Sequence, residues 1–181
     1  HYGKDDGGNL NYNTGSPNSG DLDTQSFTLG AGTMVAFKTR WDTEPPFQYD
    51  KKLIQWCVGN NCTTIAQISD IPPQIQQPGP GGGFFMPNFN TPPGTVHGPL
   101  SQQMFPGAPN WKMIFVPQFM PDWAPVSLNL AELLPSAVGQ TGFVRFRFDS
   151  VDSALNDFDG WLIDDVLIKG AGATGDVIAV N

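Results

Sequence analysis

Hydrophobic and polar residues alternate along several short segments of the chain, which is the pattern of strands that bury one face. In the segment 142–149, Val144, Phe146 and Phe148 fall on one face, and 33–41 alternates in the same way. Further strands are predicted at 22–29, 49–58, 63–68, 111–119, 161–169 and 176–180. Eight or nine short strands separated by turn residues predict an all-β protein, an antiparallel two-sheet β-sandwich.

The remaining segments are less regular. The leucines of 127–134 fit a strand and one helical turn equally well. Residues 1–20 are rich in Gly, Asn, Asp and Ser and predict a lead-in loop, and 170–181 predicts a Gly-rich hinge followed by a tail strand. The Pro- and Gly-rich segment 70–110 predicts a long loop insertion, and loops of that length are commonly functional. We expect 1–181 to form a single domain, because 181 residues bury one full core and are too few for two ordinary ones.

Composition and charge argue against nucleic-acid binding and against a membrane-spanning helix. The chain has 17 acidic and 9 basic residues and a formal net charge of −8, so it lacks the basic face of a nucleic-acid binder. Nearly all of the acids are aspartates, which favour turns, caps and metal sites over helices. No apolar run is long enough for a membrane-spanning helix, so none is expected.

The two cysteines predict a disulfide. Cys57 and Cys62 flank a Gly-Asn-Asn turn that is typical of a hairpin end, where the two flanks can be neighbours across the strands. We favour a disulfide over two free thiols, because cysteine is otherwise absent from the chain. A disulfide indicates an oxidising compartment, so the expected location is extracellular or cell-surface.

Oxygen-bearing side chains are concentrated in one segment, which ends at Gly160. They are Asp149, Asp152, Asn156, Asp157 and Asp159. Calcium takes six to eight oxygen ligands, and a flexible loop can supply several of them. A loop of solvated, turn-forming Asp and Asn is the alternative, although clustered carboxylates in an acidic chain repel one another unless a cation neutralises them.

A second acidic pair lies inside an apolar strand. Strand alternation directs Asp164 inward and Asp165 outward, so Asp164 is expected to be buried. A buried carboxylate needs a cation or a strong hydrogen-bond partner. Arg145 and Arg147 are candidate partners of Asp164, and calcium ligation by Asp164 is the more specific hypothesis.

Three stretches of the chain resemble MAM-like jelly-roll modules of secreted bacterial proteins, of the kind found in choice-of-anchor proteins and beside immune-inhibitor-A-type metallopeptidases. They are HYGKDDGGNLNYNTGSPNSGDLDT (1–24), VAFKTRWDTEPPFQYDKKLIQW (35–56) and VRFRFDSVDSALNDFDGWLIDDVLI (144–168). The resemblance implies an extracellular, non-catalytic jelly roll, often with bound calcium, that accompanies a secreted hydrolase or a surface partner. It also implies that Glu44 is a metal ligand or a partner of the Asp164–Asp165 pair, although a plain loop charge is an equal alternative.

Candidate contact residues come from the aromatic side chains. Trp41 and Trp161 are expected in the core. The residues expected at a ligand or partner surface are Phe84, Phe85, Phe89 and Trp123. The first functional hypothesis is therefore a calcium-stabilised module that binds carbohydrate or a cell-surface protein.

Two alternatives remain. The first is a structural subunit of an extracellular assembly that self-associates. The second, remote, is a copper histidine-brace polysaccharide oxygenase that uses His1 and His97. No other catalytic motif is present: the chain has no Gly-x-Ser-x-Gly, no His-Glu-x-x-His and no P-loop, so an enzyme is not expected.

Overall fold

The computed structural model describes residues 4–6, 9–45, 48–79, 81–102 and 104–170. Most of the regular secondary structure in these residues consists of strands. In chain order the strands are β1 (Lys4–Asp6), β2 (Asn9–Asn11), β3 (Ser19–Asp23), β4 (Phe27–Thr28), β5 (Met34–Asp42), β6 (Lys51–Val58), β7 (Asn61–Ser69), β8 (Gln74–Gln77), β9 (Phe84–Pro87), β10 (Thr95–His97), β11 (Lys112–Phe115), β12 (Ala124–Asn129), β13 (Thr141–Asp149) and β14 (Gly160–Lys169). One short helix, α1 (Leu130–Leu133), and a 3₁₀ turn, Pro135–Ala137, follow β12. The predicted all-β class is confirmed.

Two sheets face each other across the core. The larger has the order β10-β11-β7-β6-β13-β3, with β4 also paired to β13, and the smaller has the order β12-β5-β14. Phe146 of the larger sheet lies edge-on to Phe37 and Trp161 of the smaller one, with ring centroids 5.0 and 6.1 Å apart. Trp41 and Trp161 are both buried, as predicted. The strand pairs of both sheets are antiparallel except β7 with β11, which are parallel.

Strict alternation along β13 determines which of its side chains face the core. Val144, Phe146 and Phe148 are 0–2% exposed and point into the core. Arg145 and Arg147 point to the opposite face, where they pair with aspartates of β3 at 2.8–3.2 Å. The two arginines are therefore partners of Asp21 and Asp23 and not of Asp164.

The predicted disulfide is confirmed. Cys57 and Cys62 are paired across β6 and β7, and their sulfur atoms are bonded. The turn between them includes Gly59, whose φ of +57° is one that glycine adopts without steric cost.

Two predicted segments differ from expectation. The predicted strand 22–29 is broken into β3 and β4. The 127–134 segment, predicted as either a strand or a helical turn, contains one of each, because β12 ends at Asn129 and α1 begins at the next residue. The side chain of Asn129 caps the helix by accepting a hydrogen bond from the backbone N–H of Glu132. The predicted tail strand 176–180 lies outside the described residues.

The 70–110 segment, predicted as a long loop insertion, contains three short strands. Strands β8 and β9 form a separate hairpin, and β10 pairs with β11 at the edge of the large sheet. The segment also packs against the outer face of that sheet, where Leu100 and Ala108 form a second apolar cluster with Met113. Its neighbour Ile114 points into the main core. The insertion is therefore held by its own small core.

Candidate metal centre

The centre of the candidate site is Asp50, a fully buried carboxylate just before β6. Its Oδ2 accepts hydrogen bonds from the hydroxyl of Tyr12 and, at 2.7 Å, from the backbone N–H of Glu44. Its Oδ1 has no partner. Because burial disfavours the charged form, the pKa of Asp50 is raised above its ordinary value, despite the hydrogen bonds that favour the carboxylate.

Two further oxygen atoms of the same region are buried without partners, Oε2 of Glu44 and Oδ1 of Asn156. Asn156 is 1% exposed, and its Nδ2 donates to the backbone oxygen of Asp152 at 3.1 Å. Among the described residues only one other buried side-chain polar atom lacks a partner, Nε1 of Trp56. Buried polar atoms normally have partners, so three orphaned oxygens on neighbouring loops need an explanation.

Asp152 connects these loops electrostatically. Burial is the main reason that the pKa of Glu44 is raised, and the Asp152 carboxylate raises it further. The same carboxylate also raises the pKa of Asp50. The carboxylates of Glu44, Asp50 and Asp152 therefore lie near enough to influence one another, and the ammonium of Lys52 offsets part of this repulsion at Asp50. Within the described ranges no three His, Cys, Asp or Glu side chains are gathered in an arrangement that could hold a metal ion.

One buried ammonium group lies beside this cluster. Lys52 is 1% exposed, and its Nζ donates to Oγ1 of Thr43 at 2.7 Å and to the backbone oxygen of Asp50 at 2.8 Å. The ammonium also lies 4.0 Å from the ring centroid of Trp41. Burial lowers the pKa of Lys52 to about 7, although nearby aspartates oppose the shift.

Of the predicted ligands, Glu44, Asp152 and Asn156 belong to this region. Asp50 was missed by sequence reasoning, although it lies in the second stretch that carries the family resemblance and directly precedes an apolar strand. Asp149 lies at the end of β13, where its Oδ1 accepts from the backbone N–H of Val151 at 3.0 Å.

Asp159 lies at the end of the same loop, directly before β14. It neighbours Asp42, whose raised pKa comes first from burial and in smaller part from the Asp159 charge. Asp159 therefore belongs to the surroundings of Asp42 at the end of β5.

The prediction that Asp164 points inward was wrong. Asp164 and Asp165 are both exposed, because a bulge shifts the register of β14 between Asp164 and Leu167. Asp165 has a φ of +51° and forms an ion pair with Lys38 at 2.7 Å. Oδ1 of Asp164 accepts the backbone N–H of Asp165 at 2.8 Å. The environment of this pair is therefore exposed, in contrast to that of the buried cluster.

The predicted contact residues are found at the surface in part. Phe84, Phe85 and Phe89 are 50%, 37% and 79% exposed. Trp123 is half-buried, with the guanidinium of Arg40 6.0 Å from its ring centroid.

His1 lies outside the described residues, so the pairing of the two histidines stays a prediction. Both ring nitrogens of His97 contact backbone oxygens, those of Gly98 at 2.9 Å and Ile71 at 3.3 Å.

The fold and the buried oxygen cluster define an all-β chain with a candidate cation site. Comparisons with protein-family models, with curated proteins and with solved structures return no significant match. The resemblance to MAM-like modules therefore stays a prediction. No helix among the described residues is long and apolar enough to cross a membrane.

Proposed function

We propose that the chain is a non-catalytic binding module whose sandwich is stabilised by calcium, and that it acts outside the cell on carbohydrate or on a surface protein. The observation that supports this proposal best is the group of three buried, unpartnered oxygens of Glu44, Asp50 and Asn156. The disulfide is compatible with an extracellular location.

The oxygen cluster fits a hard cation in its chemistry. Calcium binds carboxylate and amide oxygens in flexible geometry and completes its shell with water. A cation would neutralise the charges of Asp50, Glu44 and Asp152, which burial otherwise makes unfavourable. Because the ligands come from loops far apart in sequence, calcium would connect the start of β6 with the loop that leads to β14.

Thermal unfolding tests the calcium site. A ligand that binds only the folded state stabilises it by mass action, by about 2.7 kcal/mol when its free concentration is one hundred times Kd. For a chain of this size that corresponds to a rise in Tm of about 5–10 °C. We therefore expect Tm to fall in excess EGTA and to recover on addition of calcium.

Matched variants identify the site. Asp50→Asn and Asn156→Ala should abolish the response of Tm to calcium. Asp164→Asn removes an exposed carboxylate outside the cluster and should keep it. A wild-type melting curve that is identical in EGTA and in calcium would refute the calcium proposal. A calcium-dependent rise in Tm that is as large in Asp50→Asn as in the wild type would show that calcium binds at another site.

A second candidate function is a structural subunit, and the exposed phenylalanines favour it. Besides Phe84, Phe85 and Phe89, the β8–β9 hairpin exposes 41% of Ile75 and 45% of Met86. Contiguous exposed apolar side chains are typical of interaction surfaces. If this surface joins copies of the chain, light scattering should detect oligomers in the wild type and monomers in a Phe84→Ser/Phe89→Ser variant; a monomeric wild type at high concentration would exclude the self-association.

A further inference from the structure

A cleft of about 260 Å³ lies on the outer face of the large sheet, and none of the residues predicted to make contacts lines it. Its lining residues are Gln48, Lys51, Gln67, Gly107, Pro109 and Trp111. The floor comes from β6 and β7 and the wall comes from the connection into β11, so the insertion and the sandwich build the cleft together.

The indole of Trp111 is held in a fixed position. Its Nε1 donates to Oε1 of Gln67 at 3.3 Å, and Gln67 is itself only 2% exposed. The ring also packs against the apolar cluster of Leu100, Ala108 and Met113 while it lines the cleft. A preformed aromatic surface lowers the ordering cost of binding.

The wall of the cleft is braced in the same way. The side chain of Gln102 accepts from the backbone N–H of Gly107 at 3.2 Å and donates to the backbone oxygen of Ala108. The backbone N–H of Phe105 donates to the oxygen of Ser101 at 2.8 Å. The loop that carries Pro109 therefore keeps its shape without a ligand.

The lining has a characteristic chemistry. It offers the flat apolar surfaces of an indole and a proline, the amide of Gln48 and the ammonium of Lys51, with no carboxylate and no aliphatic pocket. Saccharides present flat C–H faces that stack on aromatic rings, and hydroxyls that both donate to and accept from amides. A purely apolar ligand would leave the amide and the ammonium without partners.

We propose that this surface, the Trp111 cleft, binds a saccharide unit of a polysaccharide. The sugar stacks its C–H face on the indole of Trp111 and directs its hydroxyls towards Gln48 and Lys51. The inference rests on the proposed binding function and gives it a ligand class and a site.

Native affinity electrophoresis tests the cleft directly. The full chain is run through gels that contain laminarin, xylan or polygalacturonate, and at least one polysaccharide is expected to retard it. Retardation by the first two identifies a neutral sugar as ligand, and retardation by polygalacturonate identifies an acidic one that pairs with Lys51. Trp111→Ala should weaken binding by at least about tenfold, as truncation of a central aromatic contact does. Phe119→Ala, which removes an exposed aromatic ring outside the cleft, should leave it unchanged.

A second variant distinguishes loss of binding from loss of folding. Trp111 packs against the second apolar cluster, so its loss could unfold the insertion, whereas Gln48→Ala/Lys51→Ala changes only side chains at the rim. The double variant should also weaken retardation severalfold at an unchanged Tm. Absence of retardation of the wild type in all three gels, or equal retardation of Trp111→Ala and Phe119→Ala, would overturn the inference. The calcium response of Tm is read without polysaccharide, so failure of the cleft is distinguishable from failure of the proposed stabilisation.

Discussion

At the scale of single residues, the position of Lys52 is the least expected. Its neighbours on the same face of β6, Ile54 and Trp56, are core residues, so the alternation of this strand directs the ammonium inward. Hydrogen bonds to Thr43 and to the Asp50 backbone, and the face of Trp41, then replace water around it. The charge is tolerated because it is fully surrounded by acceptors and a π face.

The buried lysine should make stability depend on pH. Unfolded Lys52 keeps its proton up to its ordinary pKa of 10.5, but in the folded state the pKa is about 7. Between these values the unfolded state binds more protons, so the free energy of unfolding should rise with pH, with a limiting slope of about 1.4 kcal/mol per pH unit. Urea unfolding between pH 7.5 and 9 measures the slope.

Lys52→Met supplies the control, because methionine fills similar space and does not titrate. The variant should lose the rise between pH 7.5 and 9, whatever its absolute stability. The shifts of Tyr12 and His97 lead away from this window, because the pKa of Tyr12 is raised above 10 and that of His97 is lowered below 6.5. Equal slopes in the variant and the wild type would contradict the assignment.

Sequence reasoning reached Glu44, Asp152 and Asn156 but not Asp50. The first three stand out as rare or clustered acidic and amide residues, whereas Asp50 looks like an ordinary residue before a strand. Its importance comes from Tyr12, which is distant in the chain and occupies one of its oxygens. A pairing of that kind depends on tertiary structure, and no local pattern carries it.

At the scale of elements, alternation was sufficient where strands are regular. It placed β5 and β13 nearly to the residue, because both bury one face along their whole length. It failed at β14, where one bulge reverses the direction of the side chains that follow. It also missed β1 and β2 within the predicted lead-in loop 1–20, and β8, β9 and β10 within the segment 70–110, because these strands have four or fewer residues in stretches rich in Gly, Pro, Asn or Asp.

Gly94 provides a test of how the insertion docks on the small sheet. It has a φ of +84°, and a Cβ at this position would overlap the carbonyl oxygen of Pro125 on β12. Gly94→Ala should therefore lower the free energy of unfolding by more than about 3 kcal/mol, the sum of backbone strain and a displaced strand.

Gly139 is the matched control, with a φ of +90° and open space, free of other atoms within 4 Å, where an alanine would place its Cβ. Gly139→Ala should cost only the backbone term, about 1–2 kcal/mol. Chemical unfolding of both variants measures the difference, and similar losses would show that the approach of Gly94 to β12 is unimportant.

At the scale of the whole molecule, stability should be unevenly distributed. The main core joins both sheets, whereas the β8–β9 hairpin pairs only with itself among the described residues and exposes its apolar side chains. An isolated two-stranded hairpin is marginally stable. The amides of β9 should therefore exchange with solvent orders of magnitude faster than those of β6 and β13 in native-state hydrogen exchange. Uniform protection would indicate that another surface covers the hairpin.

The sandwich class could be predicted because it depends on the number and spacing of strands, which are local properties. The pairing of β7 with β11 could not, because it brings two strands together in parallel across the whole insertion. The Trp111 cleft was missed for the same reason: its residues come from three separate segments. Patterns along the chain identify strands, but they do not determine which strands become neighbours.

The long-range pairings of β3 and β5 have a consequence for biosynthesis. Strand β3 pairs with β13, and β5 lies between β12 and β14, so the early strands find their partners near the other end of the described chain. A chain that emerges from its amino terminus can close the local β1–β2, β6–β7 and β8–β9 pairs early, and of these the β6–β7 pair carries the disulfide. The sandwich itself must wait until residue 169 has been synthesised, and until then β3 and β5 remain open to wrong partners. The disulfide-linked hairpin is thus a pair that can form before its neighbours in the sheet are synthesised.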